Sequence, residues 1–277
     1  MKVIPADEIA FATFLETFNA AYSDYIVPIH MELSSMRRLI IRDAVDLHAS
    51  QVVMDGDQVA GVAMLALRDT RSWIGGLGLL PAYRGKGLGR QLMNALINAA
   101  RENGATTVQL EVIQGNTNAY MLYLNLGFQV QRQLLVLERQ PAAIEEPPSL
   151  QIKSVTGREA LAYYAQFHRE ANPWQRDIAS LKTLQDDLGG FLALRDGQVV
   201  GYSVGWFFGD VIRWMDIAAT PGEDTALRSL VTEAHLENPE VTGSLVNLGA
   251  DDPAWTAFEA LGYTPKLIQF EMVLPLT

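Results

Sequence analysis

Residues 77–90 read Leu77-Gly78-Leu79-Leu80-Pro81-Ala82-Tyr83-Arg84-Gly85-Lys86-Gly87-Leu88-Gly89-Arg90. An apolar strand runs into Pro81. A tight loop of glycines and basic residues follows, and a helix begins near Leu88. Glycine tolerates positive φ and close backbone approach, so such a loop aims several N–H groups at one point. That point lies at the positive end of the helix dipole, where an anion is favoured. Arg84, Lys86 and Arg90 add charge. The pattern predicts a diphosphate cradle between a strand and a helix. It is not a Walker loop, because no Gly-Lys-Ser/Thr ending is present, and nucleotide hydrolysis is a poor reading.

The surrounding chain has 277 residues and a formal net charge of -11. This length suits two modest domains. The charge is uneven: residues 1–146 carry a net -3 and the remainder -8. An anion site therefore fits the first half better. There is no cysteine, which excludes disulfides, thiolate metal sites and a cysteine nucleophile. The acidic balance argues against nucleic acid and anionic membranes as partners. The start, Met1-Lys2-Val3-Ile4-Pro5-Ala6-Asp7-Glu8, lacks the apolar stretch of a signal peptide, so a cytoplasmic location is expected. The histidines (His30, His48, His168, His235) have no metal-ligand spacing, and no metal site is expected.

Pro141 to Ser149 contains three prolines and two acids and reads as a linker. The flanking halves repeat each other. Val52–Gly61 and Leu192–Gly201 both read as strand, Asp-Gly turn, strand. Leu126-Gly127-Phe128 is echoed by Leu261-Gly262-Tyr263. The expected domains are 1–140, a linker 141–149, and 150–277. Mixed strands with interspersed helices predict an α/β fold with a mixed sheet in three layers, α-β-α. The first helix is expected from about Asp7 to Tyr22, with Phe11, Phe14, Leu15 and Phe18 at helical spacing.

A second segment follows the cradle: Glu111 on a strand, then Asn116, Ala119, Tyr123, Gly127 and Phe128 across a helix and turn. The series Arg84-x-x-Gly87-x-Gly89, then Asn116-x-x-Ala119-x-x-x-Tyr123-x-x-x-Gly127-Phe128, resembles the GNAT superfamily of acyl-CoA N-acetyltransferases. The resemblance is specific over about residues 50–138. It implies two GNAT-like domains in tandem, with acetyl-CoA as acyl donor and an amine acceptor, small molecule or peptide. The backbone of Leu77 and Leu79 would pair with the pantetheine arm. Arg84, Gly85, Lys86, Gly87, Leu88, Gly89 and Arg90 would hold the pyrophosphate, mainly through main-chain N–H groups. Asn116 would touch the cofactor, and Tyr123 would protonate the departing thiolate. Glu111 lies 12 residues before Tyr123, a spacing similar to the acid–base pair of the ribosomal-protein N-terminal acetyltransferase branch, and would act as base. In the family, the loop after the first helix walls the acceptor pocket; here it offers Tyr22, Asp24 and Tyr25 to a cationic amine.

The second half lacks this equipment. Aligned on Gly127 and Gly262, Tyr123 falls on Phe258, Glu111 on Val246 and Asn116 on Asp251. Pro221-Gly222-Glu223-Asp224 stands where the cradle would be, with carboxylates in place of glycines. One active site per chain is expected, transferring acetyl directly to a primary amine in a ternary complex. The alternative is a non-catalytic acyl-CoA-binding sensor or partner protein. Two domains in one chain imitate a dimer of single domains, so a monomer or a homodimer is expected.

Overall fold

A computed structural model describes every residue except Glu145, Arg169, Glu170, Phe208, Glu237 and Thr277. The chain forms two compact units, Met1–Gln131 with Phe270–Thr277, and Arg132–Gln269.

The first unit contains strands β1 (Lys2–Pro5), β2 (Val45–Asp55), β3 (Gln58–Arg68), β4 (Arg71–Leu79) and β5 (Thr107–Ile113). Its helices are α1 (Phe11–Tyr22), α2 (Leu33–Asp43), α3 (Leu88–Glu102) and α4 (Thr117–Leu124). Strand order is β1-β2-β3-β4-β5, and β12 (Thr264–Pro275) lies next to β5. The Asp55-Gly56-Asp57 turn joins β2 to β3 as an antiparallel hairpin, with Gly56 at φ +59°.

Alternation along β3 sorts the two faces. Ala63 and Leu65 join the cluster built on Leu92, Met93 and Leu96 of α3, with Val108, Leu110 and Val112 of β5. Met64 points the other way, where Phe18 and Tyr22 of α1 come down near Gly76. Helices thus cover both faces, which makes the three layers. Leu92 and Leu96 are fully buried, so truncating either to Ala would cost about 2–5 kcal/mol.

The second unit contains β6 from Arg132 onward (Gln129–Arg139), β7 (Gln151–Thr156), β8 (Gly189–Arg195), β9 (Gln198–Trp206), β10 (Val211–Ala219) and β11 (Thr242–Gly249). Its order is β6-β11-β10-β9-β8-β7. Short helices α5 (Gly157–Leu161), α6 (Tyr164–Phe167) and α7 (Ile178–Leu184) precede β8. Helices α8 (Asp224–Leu236) and α9 (Ala254–Ala260) flank β11. The repeated Asp196-Gly197 turn joins β8 to β9, as the sequence echo predicts.

Two features differ from the sequence expectation. The first helix starts at Phe11 and not at Asp7: Ala6–Glu8 form a 3-10 turn, and Ile9 is extended. The Asp7 carboxylate instead meets His48 Nδ1 at 3.0 Å. The units also part at residue 131, inside β6, and not at the proline-rich stretch 141–149 (whose Glu145 lies outside the described residues). Strands β6 and β12 each begin in one unit and end in the other. Composition marks a loop at 141–149, but a boundary inside a continuous strand leaves no trace in composition.

Candidate active site

The site begins where two parallel strands separate. β4 and β5 pair only over Arg71–Ile74 and Thr107–Leu110. Beyond that, β4 runs on to Leu79 and β5 to Ile113 without pairing to each other. The cause lies in β4. Met64 faces Gly76 and Leu65 faces Ile74, so Gly75 is an extra, bulged residue. The Trp73 ring lies over it, and a Cβ on Gly75 would come within 2.3 Å of that ring. The bulge bends β4 away and leaves an open wedge at the carboxyl ends of parallel strands. Ligands of open α/β sheets bind in such crevices.

The free edge of β4 supplies backbone groups. Leu80 N–H bonds to Ala60 on β3, so by alternation Leu77 and Leu79 direct theirs into the wedge. The Tyr22 hydroxyl accepts from Leu77 N–H. The Leu79 carbonyl accepts from Arg84 Nε at 3.0 Å. Gly76 and Gly78 let α1 come this close: a Cβ on Gly78 would sit 2.8 Å from Ala21 Cβ.

The loop above the wedge has the predicted form. Pro81–Tyr83 make one 3-10 turn. Gly85 and Gly87 have φ of +74° and +80°, and Gly87 caps α3. Open space surrounds both glycines. The first amides of a helix have no acceptor within it, and α3 presents those of Leu88, Gly89 and Arg90 here. Lys86 leans over the Tyr83 ring at 5.3 Å.

Arg84 uses its side chain in the opposite direction. Its Nη1 and Nη2 donate to the two carboxylate oxygens of Asp24, each at 2.7 Å. Nη2 also donates to Ala21 O at 3.0 Å. The hydrogen bonds from Arg84 hold the Asp24 carboxyl below its usual range. Neither group is therefore available as an isolated charge. Together they tie the loop after α1 to the cradle.

Three phenols converge in the wedge. Tyr123 on α4 is buried, with its ring 5.9 Å from Phe128. Burial, and then the nearby Tyr25, push its hydroxyl well above the usual phenol range. Tyr22 is pushed up by burial and by Tyr123 and Tyr25. Both hydroxyls hold their protons at neutral pH. Tyr22 and Tyr25 meet edge to face at 5.2 Å. Asn116 caps α4 by accepting from Ala119 N–H at 3.2 Å, and its amide donates to Tyr25 Oη at 3.1 Å. That cap sets the direction in which α4 carries Tyr123.

Glu111 lies on the other face of β5 from the α3 core, and its Oε2 accepts from Trp73 Nε1 at 2.7 Å. The same face holds a carboxylate that local sequence motifs missed. Glu271 of β12 is buried and accepts from Gln109 Nε2 at 3.5 Å. Glu271 is 160 residues from Glu111, and no spacing rule connects them.

Residues 11–128 match the acetyltransferase (GNAT) family. Over these residues, less than half of the 277, the chain matches a GNAT acetyltransferase domain. The [ribosomal protein bS18]-alanine N-acetyltransferase of Haemophilus ducreyi is 44% identical over 48 residues, 17% of this chain and 33% of that protein. The streptothricin acetyltransferase of Streptomyces lavendulae is 40% identical over 76 residues, 27% of this chain and 40% of that protein. The chain thus spans less than half the length of either relative. A solved tandem GNAT protein from the clavulanic acid biosynthesis pathway superposes with a TM-score of 0.72 at 16% identity, over 99% of this chain and 98% of that one. The fold is therefore the tandem GNAT fold.

The second unit has a wedge of the same design. β10 and β11 pair in parallel over Val211–Trp214 and Thr242–Leu245, and Met215 bulges beyond them. Here the gap is filled from within. Arg176, 2% exposed, donates to Met215 O at 3.3 Å on one strand and to Asn247 O at 3.2 Å on the other. Its Nη2 donates to Asp216 at 2.9 Å. Asp216 also accepts from Tyr202, from Asn172 at 3.1 Å, and meets His168 Nε2 at 2.7 Å. Burial alone would raise the Asp216 carboxyl, but His168, Arg176 and Tyr202 outweigh it and hold it low. Glu223, in the loop that replaces the cradle, is bound by Arg195 at 2.8 Å. Sequence comparison found the missing glycines but not the arginine that occupies the gap.

Proposed function

We propose that this chain is an acetyl-CoA-dependent N-acetyltransferase with one active site, in the first unit, acting on a primary amine by direct attack in a ternary complex. The observation that carries the reading is the open wedge with a protonated, buried Tyr123 inside it and a positive-φ glycine cradle above it. The Leu77 and Leu79 edge would take the pantetheine amides, with Tyr22 Oη giving way at Leu77. The amides from Gly85 to Arg90 suit a pyrophosphate, since the loop is open and carries positive charge.

In the reaction, the amine nitrogen attacks the thioester carbonyl carbon. The C–S bond breaks, and the electron pair leaves on sulfur. Tyr123 Oη gives its proton to that thiolate. A lysine-type amine, pKa about 10.4, is neutral only ~0.1% of the time near neutral pH. Glu111 accepts the amine's proton, directly or through water, and Trp73 Nε1 fixes the carboxylate in place. An amine acceptor accords with the two named relatives, one acting on an alanine of ribosomal protein bS18 and the other on streptothricin. Asp24 is held by Arg84, so a cationic acceptor would meet Tyr22 and Tyr25 rather than a free carboxylate.

The test is Tyr123→Phe, which keeps the ring. Transfer from acetyl-CoA to a panel of primary amines should fall about 10²–10⁴-fold in kcat, with acetyl-CoA affinity nearly unchanged. Full-rate transfer would refute the general-acid role. If the unaltered chain binds acetyl-CoA but acetylates no amine, the sensor reading replaces the enzyme.

A further inference from the structure

The second unit holds a buried arginine that is paired with no carboxylate among the described residues. Arg139 is 2% exposed. Its Nε donates to Leu261 O at 2.8 Å, its Nη2 to Ala142 O at 2.6 Å, and its Nη1 to His235 Nδ1 at 3.3 Å. A guanidinium is an obligate donor, so His235 Nδ1 is an acceptor and its Nε2 carries the proton. That proton is donated to Tyr263 Oη at 2.7 Å. Burial, and then Arg139, pull His235 down to about 3, so the ring is neutral. Among the described residues, every partner of Arg139 is uncharged. Two of its five N–H groups have no acceptor among those residues. A buried charge in this state is costly unless a counter-ion arrives.

The same arginine lines a cavity of about 730 Å³, within the range of small-molecule sites. Arg228 and the hydroxyls of Thr225, Ser229, Thr232 and Thr256 also line it. Ser229 Oγ accepts from Leu150 N–H at 3.3 Å, which leaves its own proton to donate. Ile144, Pro147, Pro148 and Ala257 form apolar wall. Two acids lie at the cavity as well. Glu146 is largely exposed and reaches Arg228 at 3.9 Å, and Asp224 opens α8; neither pairs with Arg139.

We propose that this cavity binds an organic monocarboxylate with an apolar body, its carboxylate on Arg139 and its body against the proline and alanine wall. One buried guanidinium is neutralised by one negative charge, which favours a carboxylate over a phosphate dianion. The hydroxyls supply further donors, and the wall supplies apolar contact. The site is separate from the proposed acetyl-transfer site and stands or falls independently of it.

The experiment is titration calorimetry on the whole chain, saturated with acetyl-CoA so that the first unit's site is not the one probed. Hexanoate and benzoate should each bind at one site per chain and raise the melting temperature with concentration. Hexanamide and benzamide, of the same shape without the charge, should not. Arg139→Met should weaken carboxylate binding at least tenfold. Thr256→Trp, which fills the cavity from α9 and leaves Arg139 in place, should abolish it even if the first variant folds poorly. Equal binding of acids and amides, an equal response to inorganic phosphate, or unchanged binding in Thr256→Trp would each overturn the proposal.

Discussion

Both units separate a pair of parallel strands with a bulge, and they use the gap in opposite ways. In the first unit the free edge of β4 is met by the Tyr22 hydroxyl at Leu77 and by Arg84 Nε at the Leu79 carbonyl, and no side chain bridges it to β5 among the described residues. In the second, Arg176 spans the gap and bonds to both strands, with Asp216 as its counter-ion. The aromatic pair behind each wedge is also exchanged. The first unit has Tyr123 against Phe128, and the second has Phe258 against Tyr263, ring centroids 4.9 Å apart. The hydroxyl has moved from the wedge to the core, where Trp214 donates to it at 2.6 Å. The second unit thus differs by more than its missing glycines: an arginine bridges its parted strands, beside a remaining cavity of about 380 Å³. Parted strands leave carbonyls that need donors, and in the second unit the Arg176 side chain supplies them.

The largest effect that tests this contrast is Arg176→Leu. The second unit should lose about 3–5 kcal/mol, because Asp216 keeps a buried charge and two carbonyls lose their donor. Urea unfolding measures it, and acetyl-CoA binding by the first unit should be unaffected. A loss under about 1 kcal/mol would mean that the second wedge does not need its arginine.

Gly78→Ala should cost about 1–3 kcal/mol, since the new Cβ meets Ala21 and Tyr22 at 2.8 and 2.9 Å. It sharpens the comparison because the strain falls on the open wedge. Acetyl-CoA affinity should drop along with the melting temperature. A stable variant with unchanged affinity would show that α1 can shift freely there.

The effect that is smallest at neutral pH concerns His235. Its folded-state value, about 3, lies below the ordinary 6.5. The unfolded chain therefore binds the proton first as pH falls. Stability from this group is complete above about pH 6.5 and declines as pH drops toward 3, by at most about 1.4 kcal/mol per pH unit. His235→Gln should flatten that part of the stability–pH curve.

Much of the site was legible because it is local. Glycines at 85 and 87, a Pro-capped strand end and Asn116 before a helix are decided by a few neighbouring residues, and each adopts the conformation its residue type favours. The hairpin turns at 55–57 and 196–197 are legible for the same reason. What stayed hidden depends on partners far along the chain. Arg84 reads as a phosphate ligand until Asp24, 60 residues upstream, is seen to hold it. Arg176 sits in a segment with no recognisable motif. Glu271 reaches the face of Glu111 only because β12 lies beside β5.

That last strand has a consequence for synthesis. The first unit needs residues 270–276, yet the second unit's 138 residues are made in between. At about 5–20 residues per second, roughly 7–28 s separate Gln131 from Phe270 on the ribosome. Throughout that interval β5 has an exposed edge with unsatisfied backbone groups. The nascent chain must keep that edge from pairing with another molecule until its own distant strand arrives.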